Sequence, residues 1–548
     1  MRVLSKGSKE ILLGDEAVVR GALESGVGFV SAFPGTPASE IGDTFSEIAK
    51  KAGVYFEYST NEKVALEAAG GAALSGVNSM VAFKHFGLNV ASDSLMPLAY
   101  VGAPIVIAFS DDPNCFSSAQ SEQDSRNYAR LAHIPTLEPT DSQECKDFTK
   151  LAFEISKKYQ IPVFLRLTTR ICHEMGIVKL GKVKKGKTKG FFKKDLKRYD
   201  NLPPNTVRMH SEILDKMEKI RELSEKTKVN YIINNKKSDI GVIVTGSSFN
   251  YIMESLIDLN IKIPVLKLGL SYPLPKNKIK NFIKHFKRVL VLEELDPLLE
   301  SSVREIAKDT NPKLEIFGKN VLPKAGEYKE EFVIMALAKL MGLKPKINEY
   351  THLKEYKKLD IPKRFPQLCI GCPYRYLFTT VKEVAPDAIY AGDIGCYILG
   401  IYPPYQTQDF NFSMGASEGI AHGIKKVSNQ KVIGFLGDAT FFHAGIPALI
   451  NLVYNRSNPL IIILDNRITA MTGHQPNAGM GLTGMGDKVE EVSIEKIVKA
   501  CGVKHVKIVD PHNMDEMKQT IKKFLNNKEV SVIIAKRICW LLEQRMKK

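Results

Sequence analysis

Two apolar runs near the C-terminus, VIGFLG (residues 432–437) and PLIIIL (residues 459–464), constrain this 548-residue chain most. Each is too short for a helix and lacks the alternation of a half-buried strand, so both read as fully buried parallel strands. Between them Ile446, Leu449, Ile450 and Val453 recur at helical spacing, making the segment a strand–helix–strand unit. The crossover of such a unit brings both strand ends to the edge where open α/β sheets bind ligands. Asp438 follows the first strand and Asn466 lies just past the second.

A carboxylate and an amide at adjacent strand mouths suit a hard divalent cation. Asp438, Asn466 and the backbone carbonyl of Ile468 would give Mg²⁺ three oxygens, leaving positions for water and two phosphate oxygens. With Gly437 and Ala439 flanking the aspartate, the segment reads as the diphosphate half of a thiamine diphosphate site. The alternative is an ordinary strand-end loop, where Asp and Asn are common turn residues. A second feature favours the cofactor. The stretch NEKVALEAAGGAALSG (residues 61–76) sets Glu62 ahead of a helix of small residues able to pack closely on another backbone. Thiamine enzymes need a buried carboxylate that hydrogen-bonds the aminopyrimidine ring and so promotes loss of the thiazolium C2 proton. A lone glutamate at a helix start is otherwise explained by the helix dipole.

Composition sets the scale. With 44% hydrophobic and 25% charged residues, the chain should split into about three globular domains. No uncharged apolar run approaches the ~20 residues of a membrane span, and MRVLSKGSKE is not a signal peptide. Eight cysteines over this length read as free thiols or ligands in a reducing compartment, which places the chain in the cytoplasm. The net charge of +17 is concentrated: residues 179–200 hold ten Lys or Arg against two Asp. That stretch reads as an exposed connector leading into a polar helix, with a face for acidic ferredoxin or CoA phosphates. Nucleic-acid binding is the weaker reading, because no base-reading motif or stacking aromatics accompany the lysines.

A series of motifs in order then resembles one family almost end to end. They are GDEAVVRGALESGV (14–27), FPGTPASEI (33–41), KHFGLNVASD (84–93), PTDSQECKDF (139–148), LKLGLSYPLP (266–275), VLEELDP (291–297), GDIGCYILG (392–400) and ILDNRITAMTGHQPN (463–477). The chain is similar to the alpha subunit of indolepyruvate ferredoxin oxidoreductase, one of the 2-oxoacid ferredoxin oxidoreductases. The resemblance implies oxidative decarboxylation of an arylpyruvate with CoA, giving an arylacetyl-CoA and reduced ferredoxin. It implies thiamine diphosphate and Mg²⁺ as cofactors, a small beta subunit as partner, and two copies of each subunit. It also implies an α/β fold of three parallel-sheet domains. Residues 1–180 would be the pyrimidine-binding domain, 181–235 a basic connector and helix, 236–345 a transketolase C-terminal-like domain, and 346–548 the diphosphate-binding domain.

By the same resemblance, Thr36 in the FPGTP turn matches the threonine that hydrogen-bonds the 2-oxoacid carboxylate. His85 and His474 are candidates for polar contacts near the cofactor, His474 the stronger because it follows the magnesium loop; an isolated histidine is more often structural. Cys369 and Cys372 form CIGC, Cys396 follows in GDIGC, and Cys539 is near the C-terminus. Pyruvate ferredoxin oxidoreductases use a similar layout to hold a [4Fe-4S] cluster, although a CxxC pair also suits zinc or no ligand. Tyr374 stands where the family has histidine (CPYR for CPHR). No run of the CxxCxxCxxxCP type occurs, so a separate iron-sulfur protein would carry electrons onward. GMGLTG (479–484) and GIVKLGKV (176–183) imitate nucleotide loops but lack their context. Two rival readings stay open: a non-oxidative thiamine-dependent decarboxylase or lyase, and a non-catalytic scaffold or nucleic-acid-binding subunit.

Overall fold

Val432–Gly437 and Leu460–Asp465 are parallel neighbouring strands buried at every residue, with Gly437 opposite Leu464. Their side chains alternate between two cores. Ile433, Phe435, Leu460, Ile462 and Leu464 face one side, and Leu436, Ile461 and Ile463 the other. A sheet covered on both faces needs this unbroken apolar pattern. Each such side chain withdraws roughly 1.5–3 kcal/mol of apolar surface from water. The sheet has five parallel strands, ordered Ile389–Ala391, Val432–Gly437, Leu460–Asp465, Ser531–Lys536, His505–Val509.

The crossover differs in detail from its expected periodicity. It opens with the short helix Asp438–Thr440, widens into a π-helical turn over Phe441–Gly445, and continues as Ile446–Tyr454. Leu449 and Leu452 face the core while Ile450 is half exposed. The wide turn changes the phase in which the following helix meets the sheet.

In this computed structural model, residues 2–234, 238–343, 359–360, 362 and 364–547 are described. They form two compact units, Met1–Asp360 and Ile361–Lys548. The domain boundaries expected at 235/236 and 345/346 lie outside the described residues.

The first unit holds two large sheets. One has seven strands, ordered Leu270–Tyr272, Thr136–Leu137, Val163–Thr168, Ile105–Asp111, Ser79–Lys84, Phe29–Ala32, Tyr55–Tyr58. The other has five, ordered Glu315–Phe317, Arg288–Leu292, Ile240–Thr245, Val265–Leu268, Asn230–Ile233. Each also carries one antiparallel edge, Leu270–Tyr272 in the first and Asn230–Ile233 in the second, beside its parallel strands. An edge strand that needs no crossover can enter in either direction. Buried charge joins the sheets: Arg126 Nη1 donates to Glu293 Oε2 at 2.7 Å, and Arg126 Nη2 to the Glu294 carbonyl at 2.9 Å.

The basic connector is docked rather than free. The Lys184 amide donates to Leu23 O at 3.1 Å and the Phe191 amide to Ser75 O at 2.8 Å. A Cβ at Gly28 would lie 1.8 Å from the Lys187 carbonyl, and one at Gly186 2.0 Å from that of Val27. These contacts precede the strands Phe29–Ala32 and Ser79–Lys84, so the lysine-rich segment lines the rim opposite the strand mouths.

Candidate functional site

In the second unit the strand Val432–Gly437 passes straight into a helical turn, so Asp438 sits at the sheet's carboxyl edge, almost fully buried. Its Oδ1 accepts the Ala439 N–H at 2.7 Å, while Oδ2 is buried with no hydrogen-bond partner among the described residues. Burial, then the carboxylate of Asp465, pushes the Asp438 carboxyl up to about 7. On the adjacent strand end Asn466 is buried, its Oδ1 accepting the Ile468 N–H at 3.1 Å. Arg467 between them takes a left-handed backbone, which turns the chain sharply back. Two buried carboxyls side by side, one with an orphaned oxygen, are the environment a divalent cation neutralises. Asp438, Asn466 and the Ile468 carbonyl therefore fit Mg²⁺.

Asp465, Asp393 and Glu418 did not emerge from the sequence. Asp393, in the GDIGC loop, is fully buried and accepts the amides of Ile394 (2.7 Å), Gly415 (2.9 Å) and Ser417 (3.0 Å). Burial pushes its carboxyl up to about 6 despite those donors. Glu418, one turn into the helix Ala416–Val427, is fully buried with neither oxygen hydrogen-bonded, and burial followed by Asp393 raises it well above the carboxylate range. A Gly-Asp-Ile-Gly loop was the available signal for Asp393, and burial of Glu418 left none.

The four cysteines singled out by the resemblance line one cavity of about 80 Å³, together with Tyr374, Asn466, His474 and Trp540. Two contacts bring the C-terminal segment there. The Cys539 amide donates to the Asn466 carbonyl at 3.0 Å, and Gly371 of CIGC lies so close to the Trp540 indole that a Cβ would be 2.4 Å from Cδ1. Burial, reinforced by the neighbouring thiols, pushes Cys372 and Cys396 up to about 12. Among the described residues no three His, Cys, Asp or Glu converge closely enough to hold a single metal ion. Four thiols lining one cavity are the donor set that a [4Fe-4S] cluster would need. His474 Nε2 lies 3.7 Å from Cys539 Sγ, and burial lowers the imidazole's pKa. Tyr374 is buried, and burial followed by Asp438 raises its phenol well above 10, so it remains neutral where a histidine could titrate.

In the first unit Glu62 begins the helix Glu62–Leu74, whose cap is Asn61; the Asn61 side chain accepts the Val64 N–H at 2.9 Å. Glu62 is buried against the neighbouring helix His85–Tyr100. A Cβ at Gly87 would lie 2.5 Å from Glu62 Cγ, and one at Gly70 would lie 2.8 Å from Leu98 Cδ2. The glycines therefore set the helix approach that encloses the carboxylate. Thr36 lies in the turn after the strand Phe29–Ala32, partly exposed, and its neighbour Gly35 packs on Lys84. His85 is fully buried, its Nδ1 3.0 Å from the Ser110 carbonyl and its Nε2 without a hydrogen-bond partner among the described residues, and burial lowers its pKa.

Known proteins share the sequence of this chain over most of its length. Residues 20–237 match the model for "Pyruvate flavodoxin/ferredoxin oxidoreductase, thiamine diP-bdg", and residues 393–535 match "Thiamine pyrophosphate enzyme, C-terminal TPP binding domain". Indolepyruvate oxidoreductase subunit IorA of Methanothermobacter thermautotrophicus is 46% identical over 98% of this chain and 88% of its own. The chain belongs to the indolepyruvate oxidoreductase IorA family. The IorA of Archaeoglobus fulgidus is 41% identical over 99% of this chain and 88% of its own. Fold likeness extends to the 2-oxoglutarate:ferredoxin oxidoreductase of Magnetococcus marinus, at 19% identity and a TM-score of 0.51 over 61% of this chain and 65% of that one. The family-model matches to residues 20–237 and 393–535 include Glu62 and Asp438 respectively, so each half of the expected site falls in a thiamine-binding region.

Proposed function

We propose that this IorA-family chain is the thiamine diphosphate-binding subunit of an oxidoreductase acting on indolepyruvate and related arylpyruvates. In the fuller reading it decarboxylates the 2-oxoacid oxidatively with CoA, giving an arylacetyl-CoA and passing an electron pair to ferredoxin. The observation that carries the cofactor assignment is the buried orphaned oxygen of Asp438 beside Asp465 and Asn466. When bound, thiamine diphosphate supplies the stabilised carbanion that decarboxylation of a 2-oxoacid requires.

The chain's own residues divide the remaining work. Asp438, Asn466 and the Ile468 carbonyl would hold Mg²⁺, with Gly437 and Ala439 leaving room for the diphosphate. Glu62 would hydrogen-bond the aminopyrimidine, Thr36 would meet the substrate carboxylate, and His474 would offer a neutral polar contact beside the cysteines. Cys369, Cys372, Cys396 and Cys539 would hold a [4Fe-4S] cluster, supported by their shared cavity. Residues 1–180 and 346–548 would be the two thiamine-binding domains, 236–345 the transketolase C-terminal-like domain, and 181–235 their connector. The partner would be the small beta subunit, two copies of each, with ferredoxin or a separate iron-sulfur protein accepting electrons in the cytoplasm. No helix among the described residues is long and apolar enough to cross a membrane.

The test is an anaerobic assay of the chain with its small partner, Mg²⁺, thiamine diphosphate, CoA, indolepyruvate and a viologen acceptor. Formation of the arylacetyl-CoA with viologen reduction is expected, and Glu62→Gln should abolish it while leaving Mg²⁺-dependent cofactor binding. Release of arylacetaldehyde without acceptor reduction would replace the oxidative reading with a non-oxidative decarboxylase.

A further inference from the structure

Lys84 is a buried cation at the mouth of the seven-stranded sheet. It ends the strand Ser79–Lys84, is 9% exposed, and immediately precedes the helix His85–Tyr100. Its side chain runs along the FPGTP turn: a Cβ on Gly35 would lie 2.7 Å from Lys84 Cβ and 3.6 Å from Cδ. Thr36 is the next residue. At the far end Nζ donates to the Ser117 carbonyl at 2.6 Å and stands 5.0 Å from the centre of the Phe86 ring.

The charge is not matched by an ion pair. Among the described residues no carboxylate forms a salt bridge with Lys84, although Lys63, Lys146 and Lys267 in the same unit each have one. Asp112, the carboxylate whose charge bears most on it, is already engaged by the Ser117 amide at 2.8 Å and by the hydroxyls of Ser118 and Thr169. A buried ammonium is costly unless paired, and one carbonyl and one ring leave donors of the three N–H bonds unused. The helix beginning at His85 adds the positive end of its dipole to the same place. Burial lowers Lys84 to about 8, so at neutral pH it still carries its charge.

The geometry points to Lys84 as the cation that receives the carboxylate of the 2-oxoacid substrate, beside the Thr36 hydroxyl. This inference rests on the 2-oxoacid reading above and deepens it: Thr36 offers a neutral hydrogen bond, whereas Lys84 supplies charge and hence selectivity for an acid over an aldehyde. A lysine acts as a point charge with rotatable donors, so it can hold the carboxylate without the planar fit an arginine needs.

Lys84→Met and Lys84→Arg, each assembled with the partner subunit and loaded with Mg²⁺ and thiamine diphosphate, test it. The probes are indolepyruvate, indoleacetaldehyde, which lacks the carboxylate, and indolelactate, a non-reacting acid whose equilibrium binding is measured directly. Loss of a charge-assisted contact should raise the indolelactate Kd and the indolepyruvate KM of Lys84→Met by about 10- to 100-fold. Turnover of indoleacetaldehyde should change less than about 3-fold, and Lys84→Arg should restore part of the indolelactate binding. Unchanged indolelactate Kd in a folded Lys84→Met complex would overturn the inference, as would equal losses with the acid and the aldehyde. If Lys84→Met does not assemble, Lys84→Arg with wild-type discrimination between acid and aldehyde supports a required cation, and loss of binding to both overturns it. Wild-type enzyme inactive with indolepyruvate would instead overturn the functional reading itself.

Discussion

Substituting Gly87 by alanine bears most directly on the placement of Glu62. The added Cβ would lie 2.5 Å from Glu62 Cγ, 3.0 Å from Oε1 and 3.0 Å from Phe83 Cβ. Carbon atoms in contact stay about 3.5–4.0 Å apart, so Glu62 must retreat by about 1 Å. Glu62 is 7% exposed, and Phe83, behind it, is fully buried, so neither can swing into solvent. Overpacking of this kind costs about 1–3 kcal/mol, against which alanine returns about 0.5–1 kcal/mol of helix propensity. The net loss of stability should therefore be small. Turnover should fall far more, by about 100-fold, because a 1 Å misplacement of a reacting group costs that much in rate. Gly71 provides the control. It lies in the same helix as Glu62, and a Cβ there meets nothing within 4 Å. Gly71→Ala should keep wild-type turnover and gain about 0.5–1 kcal/mol. Steady-state kcat with indolepyruvate and thermal midpoints of the two variants decide the matter. Wild-type turnover in a folded Gly87→Ala enzyme would refute the argument that these glycines position Glu62.

Three further expectations follow from the second unit. Asp438 must lose its proton to ligate Mg²⁺, and without a cation its carboxyl sits at about 7. Its raised folded-state pKa means the apo protein loses stability as pH rises from about 4 to about 7, while Mg²⁺ affinity gains about tenfold per pH unit below 7. Calorimetric titrations with thiamine diphosphate should show that slope beyond the one carried by Asp438→Asn, whose remaining pH dependence is the phosphate's own; identical slopes would remove Asp438 from the metal. Glu418, whose carboxyl burial raises well above its ordinary value, should tolerate Glu418→Gln within about 1 kcal/mol, and a urea midpoint shifted by much more would show that the ionised form matters. Cys396→Ser should lose iron and visible absorbance together yet keep Mg²⁺-dependent thiamine diphosphate binding, and retained stoichiometric iron would exclude Cys396 as a ligand.

Much of this was visible in the residues because buried parallel strands leave unbroken apolar runs. Val432–Gly437 and Leu460–Asp465 fall within one residue of where the runs lie, and that alone brought Asp438 and Asn466 to one rim. What stayed hidden depends on neighbours distant in sequence. Asp465 is a strand residue like any other until Asp438 is beside it, and Gly87 is an unremarked helix glycine until Glu62 fills its missing side chain. Ile450 followed the expected helical phase but faces outward, at the edge of the face that buries Leu449 and Leu452. The lysine-rich segment gave its charge but not its docking, which rests on backbone contacts at Gly28 and Gly186 that periodicity does not encode. That docking also sets the basic run on the rim away from the Thr36 turn, so its charge does not line the strand mouths.

The most direct test of the account is the EPR spectrum of the anaerobically purified chain with its small partner subunit, frozen after mixing with Mg²⁺, thiamine diphosphate, CoA and indolepyruvate. A reduced-cluster signal that requires both thiamine diphosphate and indolepyruvate, and that disappears in Glu62→Gln, is the predicted result. A complex that consumes indolepyruvate and releases arylacetaldehyde with no such signal would contradict the oxidative assignment and the role given to the four cysteines.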